Sequence, residues 1–448
     1  MALSWTRELD EYPVGGQRRK FLFMAVLASL ICSYEAAIAP AVPLLLPDLH
    51  MDLVTYGLIT ASALVVGALA GMVAGPLSDK LGRVRILIPL MGLTSILAFT
   101  MTLVDTPTHL VIVRCVLALV EGMAITTTAP LVRDYSPRMG RAQAFGFWAW
   151  GPVGANFISA GIASLTLPMF NNAWQSQFII IGTLSLIASV VIALNIADLS
   201  PRLRAEVLET EKVVIENAEG APPAKFSTLL TNPMVWAHVI GISAFLLLYL
   251  TVTGFGQLII TTTFHKSAAE ASFIMAMFWV LNLTTLFLAG RWSDTLQLRR
   301  IFSLVFSVLS LVVMIYFATL LGDPNTSTVT LAITGAILGG AMGAAYSPWM
   351  ANYSENSEDL DPRLQGLTWG IFYLVVRLAS VALTIIAPII VKQTGSWQTW
   401  IIVCVVGVAV FIVLMPFYKG PWTRAQLAAT QAPVGDISSR EDPVVTKR

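Results

Sequence analysis

Charge is what this chain carries least of. Asp, Glu, Lys and Arg account for 12% of its 448 residues, about half the share of a typical soluble domain. The 27 basic and 26 acidic side chains nearly cancel, to a formal net charge of +1. That excludes the basic field which nucleic-acid binding needs. Cysteine is almost absent. Cys32, Cys115 and Cys404 all lie inside apolar runs without metal-ligand spacing, so they read as small core residues and not as a disulfide framework or metal site. The four histidines are scattered, and no glycine loop able to cradle a phosphate is visible. Such a pattern leads us to expect no catalytic set, no metal and no cofactor.

What fills the chain instead is apolar: 56% of residues, with a mean hydropathy of +0.75. These residues are gathered into runs of the length that crosses a bilayer, about 20 residues. The runs fall near 21–47, 54–77, 86–104, 109–132, 142–166, 174–197, 233–263, 268–290, 301–321, 328–351, 364–391 and 396–418. The first is too long for a signal-peptide core and leads into a second span, so it reads as uncleaved. Barrel strands would alternate in short segments. The fold class expected is an all-α membrane protein of twelve transmembrane helices.

Basic residues orient it. One set of connections holds Arg18, Arg19 and Lys20; Lys80, Arg83 and Arg85; Arg133, Arg138 and Arg141; Arg291, Arg299 and Arg300; and Lys419 with Arg424. The alternate connections hold few: His50, His265, Lys266 and Lys392 beside Asp48, Asp52, Asp105 and Asp323. Both termini are therefore expected in the cytoplasm, as for a multi-pass protein of a bacterial inner membrane.

Residues 198–232 form the only long polar connection. They read as a linker between two six-helix bundles, 20–197 and 233–418, flanked by a cytoplasmic segment 1–19 and a flexible tail 419–448. The halves repeat weakly. Gly75-Pro-Leu-Ser-Asp79 matches Gly290-Arg-Trp-Ser-Asp294 at an offset of 215, and Asp134-Tyr-Ser136 matches Asn352-Tyr-Ser354 at 218. Parallel six-helix repeats are a transporter architecture, with the substrate held between the halves.

Gly75-Pro-Leu-Ser-Asp79-Lys-Leu-Gly82-Arg83-Val-Arg85 resembles the signature loop between helices two and three of the major facilitator superfamily. Small glycines let helix ends approach, and Asp79 with the arginines can form a charge network. In that family the network latches one state of the alternating-access cycle. The resemblance implies latch roles for Gly75, Asp79, Gly82, Arg83 and, in the second copy, Asp294. The plainer reading of such a string is a tight turn.

An ionisable group at the bilayer centre costs at least about 2.5–3.5 kcal/mol and usually lines a wet cavity. Counting from the span ends, Glu35, Glu121 and Arg377 fall near mid-membrane. Arg114 lies seven residues before Glu121, close to two helical turns, so the two share a face about 10 Å apart along the axis. A carboxylate in a partly dry cavity can take up a proton near neutral pH. An arginine there keeps its charge and offers a fork to a carboxylate or phosphate. Glu35 and Glu121 are thus candidate proton sites, and Arg114 and Arg377 candidate anion sites. The alternative is internal ion pairing that fixes helix packing. Asn156, Asn282, Gln257, Tyr249 and Tyr346 are candidate substrate contacts or interhelical bridges. Tyr373 is one turn from Arg377 and can share its cavity wall.

Arg114-Cys-Val-Leu-Ala-Leu-Val-Glu121-Gly122, then Pro130 and Tyr135-Ser-Pro137-Arg-Met-Gly-Arg141-Ala142, is similar to the anion:cation symporter branch of the same superfamily. That resemblance implies anion recognition by Arg114 and proton coupling by Glu121. Tyr34-Glu35 resembles the branch's helix-1 pattern, but Ala36 stands where an arginine would follow. One anion contact is thereby missing, and Arg377 can replace it.

The expected activity is uptake of a small organic anion with protons, by a bilayer-embedded monomer without a nucleic-acid partner. The alternative is a drug–proton antiporter, whose helix-5 glycine signature Gly146 and Gly151-Pro152-Val-Gly154-Ala155 approach. A membrane enzyme or sensor is a remote alternative. Without an ATP-binding loop, the driving force is an ion gradient or the substrate's own.

Overall fold

The computed structural model describes residues 7–33, 35–135, 147–204, 206, 226–360 and 365–426. Helices make up almost all of it. The chain opens with α1 (Gly15–Ile31), α2 (Glu35–Ile38) and α3 (Val42–Asp48), then α4 (Leu53–Leu81), α5 (Arg83–Ala98), α6 (Pro107–Asp134), α7 (Trp150–Thr166) and α8 (Gln175–Asn195). After the short α9 (Phe226–Thr231) come α10 (Pro233–Phe264), α11 (Ala268–Leu296), α12 (Arg299–Leu320), α13 (Thr328–Leu360), α14 (Gln365–Thr394) and α15 (Trp397–Leu414). Two-residue strands β1 (Glu8–Leu9) and β2 (Asp198–Leu199) pair in parallel.

Among the described residues, ten helices are long and apolar enough to cross a membrane: α4, α5, α6, α8 and α10 to α15. The chain is an all-α, multi-pass membrane protein. These ten coincide with ten of the runs expected from sequence. The other two runs differ. Of 142–166, the described part contributes the 17-residue α7. The run at 21–47 is not one helix but three.

The chemistry of that break is local. Pro40, Pro43 and Pro47 each lack an N–H and crowd the carbonyl one turn back. Nearer the start, Ser33 Oγ donates to the Ser29 carbonyl at 2.8 Å, the back-bonding that bends helices. Irregular backbone at membrane depth survives only inside protein or beside a wet cavity. Residues 36–42 are all buried, and α2 and α3 pack on α10, with α2 also on α7.

Where the connections are described, consecutive long helices are joined by short turns, as at 82, 265–267, 297–298 and 395–396, so their ends gather at two faces. One, the basic end, carries Arg83, Arg85, Arg299 and Arg300; the other, the far end, carries His50, Asp52, Asp323 and Lys392. Far-end caps are explicit. Asp52 accepts from Thr55 N at 2.9 Å to start α4, and Ser267 with Glu270 forms a capping box for α11. Ser396 caps α15 through Gln398 N at 3.0 Å.

Two helix pairs are packed backbone to backbone. A Cβ at Gly122 of α6 would run into the Gly67 carbonyl of α4, and one at Gly67 would lie 3.0 Å from the Ala118 carbonyl. In the second half, Cβ atoms at Gly339 and Gly343 of α13 would meet the Phe278 and Asn282 carbonyls of α11. Small residues allow this approach, and packing drives association where no water can. The same device thus recurs in α4–α6 and α11–α13.

Contacts between the halves are seen at the far end. Gly57 of α4 sits against the Thr384 carbonyl and Pro388 of α14. Lys392 Nζ reaches Asp52 Oδ2 at 3.0 Å, and Tyr56 meets Phe255 of α10 edge-on at 6.0 Å. Contact of α7 with α11 extends further, to Trp150 against Phe287 at 5.6 Å. At the basic end, Met72 of α4 is 74% exposed and Tyr373 of α14 53%.

Two outcomes follow from this packing. Gly122→Ala forces α4 from α6, a strain of about 1–3 kcal/mol, and should lower the melting temperature in detergent by several degrees. Gly92→Ala, with nothing within 4 Å of its Cβ, should leave it unchanged or slightly higher; equal losses would discount the close approach. The second concerns pH. The Asp52 carboxyl is lowered to about 2, chiefly by its hydrogen bonds with Thr55 and then by Lys392. A depressed carboxylate contributes stability above its unfolded pKa, about 3.9, and loses it only as pH falls toward the folded value. Spin labels at exposed His50 and Gln393 should therefore give one unchanged distance distribution from pH 7 to pH 5. Separation within that window would contradict the clasp.

Candidate functional site

Arg114 is a large charged side chain in a helix interior, 1% exposed. Its Nη1 donates to Thr60 Oγ1 of α4 at 2.6 Å, and its guanidinium lies over the Tyr56 ring, 5.4 Å from the centroid. The close seam between α4 and α6 makes this possible, because Tyr56, Thr60 and Gly67 fall on the α4 face turned to α6. Arg114 is thus held toward the far end, directly behind the ring that touches Phe255.

Glu121 is two turns nearer the basic end on the same helix and is 9% exposed. Its neighbour Gly122 is the residue pressed against α4. The helix α1, which ends just before Cys32, packs on α6, with the Cys32 thiol within electrostatic reach of the carboxylate. Glu35 begins α2 three residues further on. The structure therefore brings Glu121 to the helix break that precedes Glu35. Tyr34 lies outside the described residues, and Glu35, Gly75 and Asp79 are described through their backbone alone.

Arg377 belongs to the other half and is exposed. Tyr373 and Arg377 recur eleven residues later as Thr384 and Pro388, the two positions pressed on Gly57. Eleven residues make about three turns, so all four share one face of α14. That face meets the other half at the far end and is open toward the basic end. Arg377 and Tyr373 are thus turned to the space between the halves.

The amides have other partners. Asn282 Nδ2 donates to the Gly339 carbonyl of α13 at 2.8 Å, and Thr285 beside it donates to the Gly340 carbonyl at 2.6 Å. Asn156 Nδ2 donates to its own helix at the Pro152 carbonyl, 3.0 Å. Asn282 is 2% and Asn156 9% exposed. His238 is buried with Tyr418 stacked on it at 3.7 Å and Asn356 at 2.8 Å. Gly151, one of the helix-5 glycines, leaves room for Ser29 of α1, and Gly154 lies against Leu30.

At the basic end a charge network gathers. Arg83 pairs with Asp134, both side chains 2% exposed, and its Nη1 donates to the Pro130 carbonyl at 2.9 Å. Gly82 turns α4 into α5 with φ +100, a left-handed value for which glycine is suited, and a Cβ there would meet Asp198 Oδ2 at 2.8 Å. Asp198 accepts from Val84 N at 3.2 Å, at the start of α5, and pairs with Arg204 at 2.6 Å. Tyr135 donates to the Ala197 carbonyl at 2.6 Å, its phenol held well above its ordinary pKa by burial. Sequence reasoning missed Asp198; its signal is an acid just past the sixth apolar run with Arg204 six residues on. In the second half Arg299 pairs with Asp294 and, at 3.0 Å, with Glu355. Asp294 is 63% and Glu355 50% exposed there, so this copy is wetter than the first.

The same architecture occurs in proteins already known. Residues 22–358 and 249–443 match the model of the Major Facilitator Superfamily. The chain is similar to the Gallate transporter of Pseudomonas putida, 21% identical over 40% of this chain and 39% of that protein's length. It is also similar to the Hexuronate transporter of Bacillus subtilis (strain 168), 23% identical over 84% of this chain and 88% of that one. The Probable anion transporter 4, chloroplastic, of Arabidopsis thaliana is 22% identical over 87% and 75%. Among solved structures, a D-xylose-proton symporter superposes with TM-score 0.69 at 15% identity, covering 90% of this chain and 98% of that one. A bacterial homolog of the human lysosomal transporter Spinster, inward-facing and occupied, gives 0.65 at 15% identity over 96% and 100%. With most of its length matched to the family model, the chain belongs to the Major Facilitator Superfamily of membrane transporters.

Proposed function

We propose that the protein takes up a small organic carboxylate together with protons. It does so by alternating access between two six-helix bundles, residues 20–197 and 233–418, with twelve spans and both termini in the cytoplasm. In this reading the basic end is cytoplasmic, the far-end contact of Gly57 with Thr384 is the closed outer gate, and the conformation opens inward. The observation that carries the reading is Arg114 and Glu121, two turns apart on α6 and both buried within the first bundle. A guanidinium there is a fork for an anion and a carboxylate there is a proton store. Arg377 provides a second positive charge from the opposite bundle, so an anion between them draws the halves together. Glu35, at the helix break beside Glu121, is the second proton site. Gly75, Asp79, Gly82, Arg83 and Asp294 belong to the cytoplasmic latch. That the relatives are named for gallate, hexuronate and anions agrees with an acidic substrate.

The test separates proton coupling from anion binding. In proteoliposomes, Glu121→Gln should abolish accumulation driven by a pH gradient while leaving substrate exchange intact. Arg114→Ala should lose exchange as well, with affinity at least about tenfold weaker for the lost charged hydrogen bond. Accumulation that survives Glu121→Gln, or affinity unchanged in Arg114→Ala, would remove those residues from the roles given.

A further inference from the structure

Six tyrosines of this chain divide into two sets. Tyr135, Tyr353 and Tyr418 donate their hydroxyls to the carbonyls of Ala197, Thr368 and Ala237, at 2.6, 2.6 and 3.3 Å. These are phenols at work in packing. Tyr249 of α10, Tyr346 of α13 and Tyr373 of α14 are different. Among the described residues none of their hydroxyls has a hydrogen-bond partner, although a phenol inside a membrane protein normally finds one. Tyr346 is joined to Tyr373 through the rings of Trp349 and Phe372, with centroid steps of 5.6, 5.3 and 5.0 Å, and is within electrostatic reach of Tyr249, so three helices bring phenols into one neighbourhood.

The surroundings are aromatic. Tyr249 meets Trp279 edge-on at 5.2 Å, Tyr346 stacks on Trp349 at 5.6 Å, and Tyr373 tilts on Trp369 at 6.2 Å. Tyr373 is 53% exposed on the α14 face that turns to the space between the halves, and Arg377 is the next residue along that face. The wall thus offers flat rings, three free hydroxyls and one guanidinium.

A polyhydroxylated sugar acid would instead call for amide side chains around its ring. Three of those present are committed, Asn282 to the Gly339 carbonyl, Asn156 to the Pro152 carbonyl, and Asn356 to His238 and Asn352; Gln257 of α10, whose Oε1 has no hydrogen-bond partner among the described residues, is a single amide where such a ring needs several. Aromatic faces with few directional groups fit a flat ring carrying one or two hydroxyls.

We propose that the transported acid is a hydroxylated aromatic carboxylate, its ring against Tyr373 and Trp369, its carboxylate toward Arg377 and its ring hydroxyls on Tyr249 and Tyr346. This rests on the carboxylate-uptake reading and adds the class of acid and the residues that select it. Offset ring contacts supply the attraction, and hydroxyl pairing supplies discrimination.

Full-length protein in proteoliposomes, with a pH gradient, would be offered radiolabelled 3,4-dihydroxybenzoate, benzoate, cyclohexanecarboxylate and glucuronate. The expected order of KM is dihydroxybenzoate lowest, benzoate next, and the two non-aromatic acids at least tenfold higher. Tyr346→Phe and Tyr249→Phe should each raise KM for dihydroxybenzoate about tenfold, the loss of one hydrogen bond. Neither should alter KM for benzoate, whose uptake also reports that the variants are folded. Preferred uptake of glucuronate or cyclohexanecarboxylate with protons would overturn the aromatic class while leaving carboxylate symport standing. Dihydroxybenzoate uptake indifferent to both substitutions would overturn the assignment of the phenols. Absence of proton-driven uptake for every acid would defeat the carboxylate reading itself, and this inference with it.

Discussion

The approach of α4 to α6, backbone against backbone at Gly67 and Gly122, is the contact on which the first-half site depends. Lipid gives helices no hydrophobic reason to associate, so they do so where small residues let main chains touch. That seam turns Thr60 and Tyr56 toward Arg114 and seats Glu121 beside the end of α1. A guanidinium 1% exposed is tolerable at such depth only with a hydroxyl and a ring to receive it. The same seam recurs between α11 and α13, but there the polar groups nearby, Asn282 and Thr285, donate to backbone. One half therefore keeps its buried charges on its seam, while the other offers aromatic rings and an exposed arginine on α14.

The two ends of the molecule are held by unlike means. At the far end the halves meet through Gly57 on the Thr384 carbonyl, a ring edge and one solvent-facing ion pair. Exposed pairs of that kind are worth little on their own, about 0–1 kcal/mol, so the packing carries most of the closure and such a contact can reopen. At the basic end the Arg83–Asp134 pair is dry and hydrogen-bonded within the first half. Removing one partner there would strand a buried charge, at a cost of about 3–5 kcal/mol. The geometry thus combines a buried network within the first half of the chain with a breakable contact between the two halves, the combination that the proposed alternating access needs.

Much of this was legible in the residues. Hydropathy located eight spans to within three residues, stopped six and nine residues short of the ends of α11 and α13, and the motif around Arg83 pointed to a charged cluster at helix ends. What hydropathy reads is depth, not azimuth. It gave Asn282 and Asn156 a mid-membrane position but not the rotation that turns Asn282 onto the backbone of α13 and Asn156 onto that of its own helix. It read 21–47 as one run because averaged hydropathy does not register the N–H groups that Pro40, Pro43 and Pro47 lack, each of which would leave a gap in one continuous helix. Asp198 was passed over because it lies past the end of a span, and its capping of α5 is a contact 114 residues away in sequence. The eleven-residue recurrence of Tyr373 and Arg377 as Thr384 and Pro388 was present in the sequence. Only contact with Gly57 says which way that stripe faces.

In the function proposed above, protons and an organic anion move inward together through the space that Arg114, Glu121 and Arg377 serve. Proteoliposomes holding a trapped pH dye test it most directly, challenged from outside with carboxylates and, separately, with lipophilic cations. Internal acidification is expected when a carboxylate is added, and none with the cations. Proton movement that occurs only with the cations, and opposite to theirs, would contradict it.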